Sequence, residues 1–223
     1  MSIEKYIFII TYGRSGSTIL MKVLNSIKDS DIKGENCNSL FPLFQSYKYS
    51  QQSKKNLSKN SHMVDNPWYG VNDIKPYRYM RELVKIFTRE ILNPRKSSRV
   101  TGFKEIRYIS MSIAEREEFI EFLRKAFPNT YIVFNRRNLE DVAKSGWWKE
   151  KPYEEVISKL KPLDEWMVKY HKEHTDYTYI VNYDNYNDNP KYFKDLFNWL
   201  GEDFELEIIE NIMSKKLTHL KGK

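Results

Sequence analysis

Residues 6–18 read Y-I-F-I-I-T-Y-G-R-S-G-S-T, and the character of the chain changes twice within them. From Tyr6 to Ile10 the run is almost wholly apolar, too short for a helix and rich in β-branched and aromatic residues. Such a run fits a strand buried on both faces. Two glycines follow, Gly13 and Gly16, around the basic Arg14, with hydroxyls at Ser15, Ser17 and Thr18. Ile19, Leu20, Val23, Leu24 and Ile27 then recur at helical spacing, which predicts a helix to about Lys28. Strand, glycine-hydroxyl loop and helix make a cradle for an anion such as phosphate. Glycine lets the backbone approach the anion, loop N–H groups point at it, and the helix dipole favours negative charge there.

Outward from this stretch, strands alternate with helices. Residues 32–35 read as a second strand, expected beside the first and ending in G-E-N. Further strands are expected at 99–106, 131–134 and 177–183. Helices are expected from Leu40 to Tyr47 with an early interruption at Pro42, at 79–92, at 112–127, from Leu139 to Trp147, at 153–174 with a restart at Pro162, at 191–200 and at 205–215. Residues 50–61 are almost all Ser, Gln, Asn and Lys and read as a loop. This alternation predicts one α/β domain over residues 1–223, a mainly parallel sheet flanked by helices. Ligands of such sheets sit at the carboxyl ends of the strands. That singles out residues 11–18, 35–38, 104–107, 135–138 and 183–185.

The chain has 223 residues, 40% hydrophobic and 30% charged, with a net charge of +7. The charge points to an anionic partner without choosing between nucleic acid, an acidic polymer and a phosphorylated nucleotide. The single cysteine, Cys37, excludes an intramolecular disulfide and fits a reducing compartment. No run approaches the ~20 apolar residues of a membrane span, and the N-terminus lacks the apolar core of a signal peptide. The expectation is a complete cytoplasmic chain. His171 and His174 have helical spacing but no evident third ligand, so no metal site is expected.

The loop departs from the ATP/GTP pattern GxxxxGK[ST]. Gly13 and Gly16 are three apart, Ser17 stands where lysine is required, and Lys22 lies too far along the helix to replace it. The second informative stretch is residues 131–148, Y-I-V-F-N-R-R-N-L-E-D-V-A-K-S-G-W-W. A strand ends in paired arginines, and Ser145 follows Arg137 eight residues later. Arginine's planar fork suits phosphate. Two anion sites on strand ends suggest one ligand with two phosphate-like ends.

Here the chain resembles the sulfotransferases that use 3′-phosphoadenosine 5′-phosphosulfate (PAPS). G-R-S-G-S-T at 13–18 resembles their 5′-phosphosulfate loop, and R-N-L-E-D-V-A-K-S at 137–145 resembles their 3′-phosphate motif. G-E-N at 34–36, P-W-Y-G at 67–70, G-F-K-E-I-R at 102–107 and S-G-W-W at 145–148 are similar to bacterial-type members, as is Tyr183-Asp184 followed by Pro190 and Leu200-Gly201. Leu139 departs from the proline of many members. The resemblance implies a P-loop-like sulfotransferase fold and transfer of a sulfuryl group from PAPS to an acceptor hydroxyl on a small molecule or glycan, with adenosine 3′,5′-bisphosphate as product. It assigns Gly13, Arg14, Ser15, Gly16, Ser17 and Thr18 to the 5′-phosphosulfate, and Arg137 and Ser145 to the 3′-phosphate. It implies neither a metal nor a nucleic-acid partner.

For the base, two glutamates sit at strand ends near the loop. In the tyrosylprotein branch, a G-E-E carries the catalytic glutamate on its second acid; here that position is Asn36, with Glu35 beside it. Cytosolic members place a histidine two residues beyond a strand-end lysine; here Lys104 is followed by Glu105 and Ile106. Glu35 is therefore the leading base, Glu105 the second candidate, and Lys104 the candidate for charge stabilisation.

Plainer readings compete. In these, the loop hydroxyls only cap a helix, Arg137 pairs with Glu140 or Asp141, residues 95–99 (R-K-S-S-R) are a solvated turn, and Trp68, Tyr69, Trp147 and Trp148 are core. The competing functions are a nucleotide kinase or NTPase with a degenerate loop, and a non-catalytic protein that binds nucleotide or nucleic acid.

Overall fold

The computed structural model describes residues 3–215. Its frame is a five-stranded sheet of β1 (Lys5–Ile10), β2 (Ser30–Lys33), β3 (Val100–Glu105), β4 (Thr130–Arg136) and β5 (Thr178–Asn182). The order is β2-β3-β1-β4-β5, and every pairing is parallel. Because β1 is central, its side chains are buried on both faces. Tyr6, Phe8 and Ile10 point to a cluster rich in aromatics, and Ile7 and Ile9 to an aliphatic one. Each such side chain contributes about 1.5–3 kcal/mol by leaving water.

Helices cover both faces. On the aromatic side lie α2 (Leu40–Lys55), α3 (Pro76–Phe87), α4 (Ile113–Ala126), the short α5 (Leu139–Ala143) and α6 (Tyr153–Glu173). On the aliphatic side lie α1 (Ser17–Leu24), the single turn α7 (Tyr183–Tyr186), α8 (Phe193–Leu200) and α9 (Leu206–Ser214). A capping box starts α4, where Ser112 and Glu115 satisfy each other's backbone N–H groups. Gly102 leaves β3 no room for a side chain against β1: an added Cβ would stand 1.7 Å from the Ile7 carbonyl oxygen.

Several expectations are corrected. β2 does not lie beside β1, because β3 pairs with both and stands between them. It also ends at Lys33, so Glu35 belongs to the loop beyond. α1 stops at Leu24 because the Asn25 side chain turns to β2, donating to the Ile32 carbonyl and accepting from its N–H. Pro42 does not interrupt α2, since it lies in the first turn, where an N–H would have no helical acceptor. The expected loop at 50–61 is helical as far as Lys55: Lys54 donates to the Val71 and Asn72 carbonyls, and Ser61 is buried with its oxygen accepting from the Ser58 N–H. α6 runs unbroken through Pro162, anchored on either side of it by Val156, Leu160, Leu163 and Met167.

Candidate active site

The connection after β1 leads to β2 on one side of it, and the connection after β4 leads to β5 on the other. A crevice therefore opens at the carboxyl ends of β1 and β4. The loop between β1 and α1 lies there. Arg14 and Gly16 both have left-handed backbones, φ 70° and 80°. Among the described residues, no backbone N–H from Gly13 through Thr18 donates to a protein acceptor. Alternating backbone hands with unpaired N–H groups at a helix start form an anion-binding concavity.

The loop is held from below. Thr11 Oγ1 lies 2.6 Å from Ser15 Oγ and donates to the Asn135 carbonyl at 2.8 Å. Asn135 Nδ2 donates to the Ser15 carbonyl at 2.8 Å, and the buried Tyr186 hydroxyl donates to Asn135 Oδ1. The Ser15 hydroxyl thus faces inward and serves the scaffold. Gly13 lies against Trp147, where a Cβ would come within 2.4 Å of the indole, and Gly16 against Tyr183, where it would come within 2.0 Å of the ring. Trp148 Nε1 donates to the Gly13 carbonyl. Gly16 is the N-cap of α1 and no side chain caps the helix, so the loop hydroxyls are not there for capping.

The segment after β4 meets this loop. Arg14 Nε donates to Ser145 Oγ at 3.1 Å, and the Arg137 guanidinium donates to the Arg14 carbonyl at 3.0 Å. Arg137 stacks over Tyr183 at 4.7 Å, and its buried Nε has no partner. Among the described residues Arg137 makes no ion pair with Glu140 or Asp141. Ser145 lies beyond the end of α5.

On the other side of β1, Lys104 and Glu105 end β3, and the Thr11 N–H donates to the Glu105 carbonyl. Lys104 is buried, and its ammonium donates to Glu35 Oε1 at 2.5 Å. Arg107 reaches Glu35 Oε2 at 3.4 Å and Glu105 Oε1 at 2.9 Å. Glu105 is completely buried. Its carboxylate accepts from the N–H groups of Asn36, Asn38, Ile106 and Arg107. That carboxylate pins a loop in which Cys37 and Asn38 are left-handed, whereas the Glu35 side chain remains about one third exposed.

Sequence reasoning gave Tyr12 no role within residues 11–18 and passed over Asp164 and Tyr186; all three are buried and bonded into the site. Asp164 carried a signal: it stands four residues after Leu160 and three before Met167, on the apolar face of α6. Trp68, Tyr69 and Trp147 are 46%, 57% and 48% exposed, and of that group only Trp148 belongs to the core. The 95–99 turn is tied down by Arg95, which bonds to the Ser30 carbonyl, and by Arg99, which pairs with Glu202. Among the described residues, no group of three or more His, Cys, Asp or Glu is placed to hold a metal, and no helix is long and apolar enough to cross a membrane.

A parallel sheet whose central strand runs into an anion cradle, with a second cationic segment beside it, defines an α/β protein with its candidate site at the carboxyl edge. The chain belongs to the sulfotransferase family, whose model, described as "Sulfotransferase family", matches residues 6–205. Among solved structures it is similar to the crystal structure of sulfotransferase STF9 from Mycobacterium avium, with a TM-score of 0.51 and 11% identity over 100% of this chain and 70% of that one. At that identity the likeness is one of fold. Comparison with curated proteins gave no match. The family gives the general chemistry, transfer of a sulfuryl group.

Proposed function

We propose that the chain transfers a sulfuryl group from PAPS to an acceptor hydroxyl, taken here as one on a carbohydrate. The observation that carries this reading is the row of free N–H groups from Gly13 to Thr18 beside the partnerless Nε of Arg137. A ligand anionic at both ends satisfies both. In this reading Arg14, Ser17, Thr18 and the loop amides grip the 5′-phosphosulfate, and Arg137 and Ser145 hold the 3′-phosphate. PAPS supplies the sulfuryl group and leaves as adenosine 3′,5′-bisphosphate.

Glu35 takes the proton of the acceptor hydroxyl as that oxygen bonds to sulfur. It is the better candidate because its carboxylate is partly open, whereas that of Glu105 is enclosed by backbone donors. Lys104 orients Glu35 and offers charge to the bridging oxygen as its bond to sulfur breaks. The test is calorimetry with adenosine 3′,5′-bisphosphate and ADP in metal-free buffer. Clear preference for the bisphosphate is expected, and equal affinities would overturn the reading.

A further inference from the structure

Arg137 stands one residue past β4, yet a single side chain engages both of its backbone polar groups. Its N–H donates to the Tyr12 phenol oxygen at 3.0 Å. The same phenol lies 2.8 Å from the Arg137 carbonyl oxygen and 3.0 Å from Asp164 Oδ1. With one proton to give, it serves one of those acceptors at a time while accepting from Arg137. Asp164 is buried on α6, and its carboxylate is gripped at both oxygens by Arg136, with Nε donating to Oδ1 at 2.8 Å. Tyr12 is fully buried and immediately precedes Gly13. One ring therefore joins the start of the anion loop, the backbone of Arg137 and a helix on the aromatic face. Burial and the Asp164 charge both push the Tyr12 hydroxyl up, which preserves its proton.

We infer that Tyr12, backed by Asp164 and Arg136, is a positioning residue that sets the separation between the Gly13–Thr18 loop and the Arg137 guanidinium, and so tunes the chain to ligands anionic at both ends. The inference rests on the PAPS reading and names no contact with the ligand. Its predicted signature is selective: displacing Arg137 weakens the grip on a 3′-phosphate and spares a ligand that lacks one.

The experiment measures adenosine 3′,5′-bisphosphate and ADP by calorimetry on the wild type, Tyr12→Phe and Asp164→Asn, with thermal unfolding of each. Phenylalanine keeps the ring and removes only the hydroxyl. We expect Tyr12→Phe to weaken the bisphosphate about tenfold, the scale of one hydrogen bond, while ADP affinity stays within about twofold. A wild type without preference overturns the PAPS reading and this inference with it. A wild-type preference that survives Tyr12→Phe within about threefold overturns the inference alone. So do equal losses for both ligands, which mean that the phenol merely stabilises the fold. Should Tyr12→Phe fail to fold, Asp164→Asn decides: a loss of about threefold or more in the affinity ratio supports the clamp, and an unchanged ratio overturns it.

Discussion

At the amino edge of the sheet, Lys5 at the start of β1 and Arg99 just before β3 converge on Glu202. At the carboxyl edge, β1 leads to Arg14 and β4 to Arg137, and among the described residues neither meets a carboxylate. Each of these pairs brings two cations to strand ends, and the outcomes are opposite. At the first, a buried acid closes the cluster, and the charges hold the fold. At the second, the guanidinium groups bond to a serine hydroxyl and a backbone carbonyl, which leaves their charge free for a ligand. Lys104 stands between these cases: it is paired, but with the partly open Glu35. What a cation does here is decided by which strand end it occupies, not by the net charge of +7.

The contrast is broken most severely at Glu35. Glu35→Gln is expected to lower kcat by about 10²–10⁴, the usual worth of a positioned base, with donor affinity unchanged. A single-turnover assay with the bisphosphate-binding isotherm as control checks it, and near-normal turnover would return Glu105 to consideration. Next in size, Arg137→Ala is expected to weaken adenosine 3′,5′-bisphosphate by about 30–100-fold, as the loss of a charged hydrogen-bonding group from a partly desolvated site predicts. Its melting temperature should fall only modestly, since among the described residues Arg137 makes no ion pair and gives the fold one backbone hydrogen bond and its stack on Tyr183.

The smallest effect belongs to the amino edge. Burial alone would push the Glu202 carboxyl up, but hydrogen bonds and charge from Arg99 and Lys5 outweigh it and hold the carboxyl below its ordinary value. A carboxyl depressed in the folded state adds stability above its unfolded pKa, and that stability is lost as pH falls through the folded value. Glu202→Gln should therefore lower the melting temperature by about 3–6 °C at pH 7, for about 1.5 kcal/mol, and by progressively less below about pH 4. Nucleotide affinity should be unaffected. A loss of binding in this variant would mean that the two edges do not divide their work as described.

Much of this was local enough to be legible. The β1 run, the glycines, the helix spacing after them and the Arg137–Ser145 pair are contiguous signals, and the structure brings the loop and both residues together. The place of β2 was not legible, because Ser30–Lys33 pairs with residues some 70 positions away and nothing in four residues announces that partner. The inward turn of the Ser15 hydroxyl depends on Thr11 and Asn135, whose residue types are ordinary at strand ends. Trp68 and Tyr69 misled because size favours burial, yet they lie on the exposed connection between α2 and α3. The neighbours of Glu35 and Glu105 in the chain ranked Glu35 first but did not show how differently the two carboxylates are enclosed. The difference lies in backbone N–H groups at Asn36 and Asn38 that fold over one carboxylate and leave the other partly open.

The central position of β1 has a consequence for the order in which the chain can become structured. Its two neighbours begin at Val100 and Thr130, so the strand that emerges first during synthesis waits longest for its partners. Contacts so distant in sequence form late, after loop closure has been paid for elsewhere. A nascent chain ending before Thr130 has the glycine loop but neither Asn135 beneath it nor Arg137 beside it. The anion cradle opens at Gly13 and is finished only when Arg137, more than 120 residues further along the chain, has been made.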